Sequence, residues 1–574
     1  MKMILYFRNM FIAKKIKSKA IIFFISFAIL FSINAPILWI DNAHHDVIRH
    51  FSVTNTNKIC IQDPQHGWLK DKIARPFAAA LECLVFKNVD IQQDLTFWRL
   101  IVLLILALAN TMLITLLLKN SVKLLNAFLI STPIFILPGA INSVFMANIP
   151  NAIALLMSLI SFFIYSSFIN NNSKNSFFSK SRMEYAKVIM AFFILLSVMF
   201  TYPTLSFFFF IGTLITLMNN KVTNKESLRN SIYHIIFFIA TSLIAIIVRT
   251  ILYNDVGNIP IDFQSDFNLL NIFHRIFYFL PNIYIPSVFT LWFIDSQLLK
   301  LIVFLFFIAC LYGLLKSFNL SQKSTSFLSY LKDSKISRLI FIIGVFLLTF
   351  TPLIIKGGGP QPFFRTLFVP MAAISLVILF YTSLENSRTI LKINKNKFIP
   401  FNVSLLLYSF LTLIYINSSF HINKNTWEIN AEMTFARNAL ASNDEEIKYI
   451  HIIRPVDNGI GYSGIKSYND EFHRKTIDYS QDIFFFVKSA FESVYQNDKA
   501  LIWCNDDLEC KSKYEKDPRY ILISFSNFEE NFCRKQNMII IDYNILVRAT
   551  NTGNPNITNL QNVPICHKKD NLIK

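Results

Sequence analysis

Long apolar runs, separated by short and mostly basic polar segments, dominate residues 1–419. The runs cover 20–40, 95–118, 124–140, 149–169, 188–218, 231–253, 298–316, 339–355, 365–384 and 399–419. Crossing a hydrocarbon core by helix takes about 20 apolar residues. Run 188–218 is interrupted at Thr201-Tyr202-Pro203. Proline removes a helical hydrogen bond, so the run reads as two short helices turning at the far side. One long kinked helix is the competing view, and it would invert everything downstream. With the turn, the pattern predicts about eleven transmembrane helices.

Beyond residue 420 the pattern changes. Helical periodicity runs through Trp427–Leu440. IKYIHII (447–453), YILISF (520–525) and MIIIDY (538–543) read as strands, and QDIFFFVKSAFESVY (481–495) as a further helix. The expected architecture is a transmembrane domain, 1–419, followed by a small α/β domain, 420–574.

Composition agrees: 53% of the 574 residues are hydrophobic and 16% charged, too little charge for a soluble chain. The net charge of +19 does not imply nucleic acid. Residues 1–419 hold 36 Lys+Arg against 15 Asp+Glu, and residues 420–574 hold 19 against 21. Of those 36, 24 fall in segments that the eleven-span scheme places inside, as short loops that set orientation should. The basic start, from Lys2 to Lys19, puts the N-terminus in the cytoplasm and reads as an uncleaved signal anchor. Loops 41–94 and 254–297 and the tail then lie outside.

Cysteine placement is an independent check. Cys60 and Cys83 fall in the first outside loop, Cys504, Cys510, Cys533 and Cys566 in the tail, and Cys310 in a span. Even numbers in each outside region suit a disulfide-forming compartment such as a bacterial periplasm. The spacing Cys504-x5-Cys510 is not a tight zinc pair.

Candidate chemistry concentrates where the first span ends, at DNAHHDVIRH (41–50). Ionisable groups massed at a membrane boundary are functional candidates. If the loop begins as a helix, His44 and His45 share a face with Asp41. Asp46 lies about 140° around, towards Arg49. Asp41 is therefore a candidate general base, and a helix-capping role is its equal rival. Asp46 is a second candidate, with an ion pair to Arg49 as the plainer reading. His44 and His45 read as hydrogen-bonding groups ahead of metal ligands. Arg75 opens an interfacial segment, ARPFAAALECLVF. Arg365 stands behind the loop GGGPQPFF at the outer end of the tenth span, and Arg275 stands beside His274 in the second outside loop. A guanidinium at each of these places suits a lipid phosphate, with simple headgroup anchoring as the alternative.

An acid directly after the first span, then Arg49, Trp68 and Arg75-Pro76, resembles the polytopic O-antigen glucosyltransferases of serotype-converting phages and related bacterial loci, in the GT-C class. Tyr202-Pro203, Arg365 and the small external tail fit the same layout. The resemblance implies a GT-C-like fold in a bacterial inner membrane. It also implies a sugar, glucose above others, moved from a polyprenyl-phosphate donor to a lipopolysaccharide O-antigen or similar surface glycan in the periplasm. The family often shows two adjacent acids here. This chain has Asn42 in the second place, which throws the weight on Asp41 and on a mechanism needing no metal cofactor. The donor phosphate would be held by Arg365 with Arg275 or Arg75. A transporter or flippase of lipid-linked sugars would need polar groups inside the membrane, and an O-antigen polymerase would share the topology.

Overall fold

A computed structural model describes residues 2–40, 75–86, 95–120, 122–172, 182–218, 224–253, 334–351, 364–383, 403–441, 447–453, 500–503, 512–514, 519–526 and 538–543, with single positions and pairs between. The helices are α1 (Lys2–Trp39), α2 (Pro76–Phe86), α3 (Leu95–Lys119), α4 (Leu124–Ser131), α5 (Pro138–Phe145), α6 (Ile149–Asn172) and α7 (Arg182–Thr201). They continue with α8 (Pro203–Ser206), α9 (Phe209–Met218), α10 (Asn224–Tyr253), α11 (Ser334–Leu348), α12 (Phe364–Ser383) and α13 (Val403–Ala441). Among the described residues five helices are long and apolar enough to cross a membrane. A sixth is added if Leu124–Ile136 and Gly139–Phe145, bent by 58°, are one span. Exposed Phe24, Phe97, Phe193 and Ile251 are what lipid-facing helix surfaces require, since lipid tails are as apolar as these side chains.

The chain divides into two compact units, with one division between His421 and Ile422. In the first, α6 packs along α7 and α3. Two neighbouring residues of α6 decide the course of run 188–218. Ser161 Oγ donates to Ala191 O on α7 at 2.8 Å, and the Phe162 ring lies against Gly212 on α9. Ala191 and Gly212 stand at nearly equal chain distances either side of Tyr202, so the chain doubles back there. The turn is local in origin. Pro203 pushes the preceding residue out of the helical region, and Tyr202 is extended at φ −148°, ψ 92°.

Two stretches differ from the sequence reading. The connection between the apolar runs 124–140 and 149–169 holds most of α5, which starts at the Leu137-Pro138 break with proline in its first turn. Helix α13 runs unbroken through residue 419 to Ala441, because Asn and Lys lower hydropathy without ending a helix.

The second unit holds a four-stranded parallel sheet, β1 (Tyr449–Ile453), β2 (Ala500–Trp503), β3 (Tyr520–Ser526) and β4 (Met538–Asp542), in the order β2-β3-β1-β4. Strand β2 escaped the sequence reading, being four residues long. Within 481–495, Val487, Ala490, Phe491 and Val494 are helical. On α13 the buried positions Ile422, Thr426, Ile429, Met433, Ala436 and Leu440 recur every three or four residues, one helical face. Phe435 of the same helix meets the Tyr543 ring, centroids 5.6 Å apart.

Candidate functional site

The corner between α7 and α8 is the best-built feature among the described residues. The Tyr202 N–H donates to Val198 O at 2.8 Å, closing the last turn of α7, and Pro203 then starts α8. From α6, Ser158 Oγ donates to Leu205 O at 3.0 Å. Two arginines distant in sequence reach this corner. Arg75, set directly before Pro76 at the start of α2, places its guanidinium carbon 4.6 Å from the Tyr202 ring centroid. Arg249, near the end of α10, donates from Nη2 to Met199 O and lies 5.4 Å from the Phe200 ring.

Burying a guanidinium is costly unless its donors and charge are met. The last carbonyls of a helix lack intrahelical partners and form the negative end of its dipole, so a cation there is favoured. Arg249, 5% exposed, meets that condition on α7. Arg99, 2% exposed, does so on α5, Nη2 to Phe145 O at 3.2 Å. Arg338 repeats it on α9, Nε to Leu217 O at 2.5 Å. Three buried arginines thus stabilise helix C-termini, Arg249 at the end of α7 that leads into Tyr202. The sequence offers one signal for this, an Arg inside a long apolar segment, as at Arg99 and Arg249.

Other polar groups lie inside the first unit. Ser131 Oγ donates to Asn110 Oδ1 at 2.5 Å, and Asn110 Nδ2 to Thr132 Oγ1 at 3.3 Å, which ties α3 to the bend after α4. His234 Nε2 and Ser166 Oγ share a hydrogen bond at 2.9 Å, and the rings of Phe162, Tyr165 and Phe209 surround the imidazole. Packing accounts for this histidine.

Of the residues singled out in the sequence, the structure joins Arg75 to Tyr202. Cys83, half-buried on α2, is disulfide-bonded. Arg365 lies in the first turn of α12. Helix α1 ends at Trp39, and Ile40 N–H still donates to Pro36 O at 2.9 Å. Asp41, Asn42, His44, His45, Asp46, Arg49, Cys60, Trp68, Arg275, Cys504, Cys510, Cys533 and Cys566 lie outside the described residues. Among the described residues no cluster of His, Cys, Asp and Glu could hold a metal ion.

These helices define a polytopic α-helical membrane protein. Comparison with protein-family models and with curated proteins finds no match.

Proposed function

We propose that the protein is a membrane glycosyltransferase of GT-C type. In this reading it moves a sugar, glucose first among candidates, from a polyprenyl-phosphate donor to a lipopolysaccharide O-antigen or similar surface glycan on the periplasmic side. The observation that carries this reading is the meeting of Arg75 with Tyr202. Both belong to the resemblance, and they come together at one corner although the sequence separates them widely. Eleven spans, a cytoplasmic N-terminus and an external α/β tail complete the topology. The disulfide at Cys83 supports an oxidising compartment for the first loop, with Cys60 as the proposed partner.

Asp41 takes the proton of an acceptor hydroxyl, whose oxygen attacks the anomeric carbon of the donor sugar. The bond from that carbon to the phosphate oxygen breaks, and polyprenyl phosphate leaves with the electron pair. Arg75 and Arg365, with Arg275, stabilise the charge growing on that phosphate. Asp46, His44, His45, Arg49 and Trp68 line the same loop as supporting groups.

A transporter of lipid-linked sugars is the second reading. Buried Asn110, Ser131 and Thr132 beside the 58° bend favour it, because discontinuous helices with interior polar groups are where transporters bind substrate. Purified protein in proteoliposomes, given labelled polyprenyl-phosphoglucose and a lipid-linked glycan, separates the two. Label arriving in the glycan supports the transferase. Label crossing the bilayer without entering glycan overturns it.

A further inference from the structure

In the second unit, the turn that leads into β3 carries a basic and aromatic surface. The stretch 511–520 reads KSKYEKDPRY, four cationic residues against two acidic, in a tail that is slightly acidic as a whole. Local hydrogen bonds set its course. The Asp517 N–H donates to Tyr514 O and the Tyr520 N–H to Asp517 O, each at 3.2 Å. The Arg519 N–H donates to the Asp517 carboxylate at 3.0 Å. The rings of Tyr514 and Tyr520 meet edge to face, centroids 5.0 Å apart. Lys513 Nζ lies 5.1 Å from the Tyr514 centroid, and the Arg519 guanidinium carbon 5.7 Å from that of Tyr520. Lys448, exposed, directly precedes β1, and its carbonyl accepts the N–H of Leu522, two residues past Tyr520, at 3.0 Å.

We propose that this surface docks an acidic glycan, which is the acceptor on the transferase reading on which that role rests. A guanidinium carries five N–H donors. The fork to Asp517, Nε to Oδ1 at 3.0 Å and Nη2 to Oδ2 at 2.6 Å, uses two of them and fixes the plane. The Arg519 side chain stays 76% exposed. Lys513 is exposed too. A sugar ring offers C–H faces to an aromatic ring and hydroxyls to the phenols. Its carboxylate or phosphate offers the charge that a guanidinium and an ammonium take. Cations alone would accept any polyanion, and the ring pair is what selects a sugar. A lipid surface fits less well. Trp, Phe and Leu are the side chains that enter a lipid interface, whereas both rings here are half-buried tyrosines.

The test uses the full-length protein in nanodiscs of phosphatidylcholine and follows binding of labelled octagalacturonate. Maltooctaose serves as the neutral sugar and octaglutamate as the acidic peptide. Octagalacturonate is expected to bind about tenfold tighter than either, or more. Lys513→Glu should weaken it about tenfold and Tyr514→Leu about fivefold. Lys225→Glu, the same charge change on α10, should stay within about twofold of wild type. If Tyr514→Leu lowers the melting midpoint, Lys513→Glu still decides, because that side chain is exposed. Octaglutamate binding as tightly as octagalacturonate overturns the sugar assignment, and maltooctaose doing so overturns the role of charge. Absence of saturable octagalacturonate binding, or wild-type binding by Lys513→Glu, overturns the surface itself. Binding in nanodiscs needs no sugar transfer, so a failed transfer assay removes the acceptor role and leaves the docking surface standing.

Discussion

A Cβ added at Gly212 would stand 2.5 Å from Cδ1 of Phe162. Helices α6 and α9 are therefore in contact through a missing side chain, and the Phe162 ring that fills the space also borders His234 and Phe209. Gly212→Ala must displace that ring. Overpacking of this kind costs about 1–3 kcal/mol. Gly344 on α11 meets nothing within 4 Å, so Gly344→Ala should be neutral or gain up to about 1 kcal/mol from helix propensity. Thermal melts of the two variants in detergent check the contrast: a lower midpoint for Gly212→Ala and none for Gly344→Ala.

Arg249→Met keeps the length of the side chain and loses its donor. Met199 O is then left without that bond at the end of α7, which costs about 1–3 kcal/mol for a buried acceptor. Thermal denaturation should show the loss, and Arg249→Lys should recover part of it.

Much of the membrane architecture was legible because hydrophobic run length is decided locally. Spans α1, α3, α6 and α10 stand where apolar runs of sufficient length predict them. The turn at Tyr202-Pro203 could be foreseen from proline chemistry, but only the contacts of Ser161 and Phe162 chose between doubling back and a long kinked helix. Helix α5 was missed because Asn142 and Ser143 dilute its hydropathy, while burial compensates for them in the folded unit. At the site, residue type pointed to Arg75. Its partner could not be read, because the meeting with Tyr202 depends on tertiary packing and not on spacing.

Tyr543, outside the membrane spans, is fully buried. Burial, with the negative Glu432 nearby, raises its phenol well above the ordinary 10.0. The folded chain therefore keeps this proton to higher pH than the unfolded chain does. Its contribution to stability is complete below pH 10.0 and falls as pH rises above it. Tyr543→Phe should flatten the decline in unfolding midpoint above that pH, measured on the full-length protein. An unchanged decline would contradict the burial of the hydroxyl.

The disulfide at Cys83 predicts that a maleimide does not label this residue in native protein and does so after reduction. In a variant with the other five cysteines replaced by serine, peptide mapping should find Cys83 joined to Cys60. Labelling of Cys83 without reductant would contradict the bond.

Asp41, two residues after Trp39 in the sequence, carries the proposed chemistry. Sugar transfer by Asp41→Asn, compared with wild type at equal expression, therefore tests the mechanism most directly. General-base catalysis contributes about 100-fold to 10,000-fold, so transfer from polyprenyl-phosphoglucose should fall at least that far while donor binding persists. Transfer by Asp41→Asn at the wild-type rate would contradict the assignment.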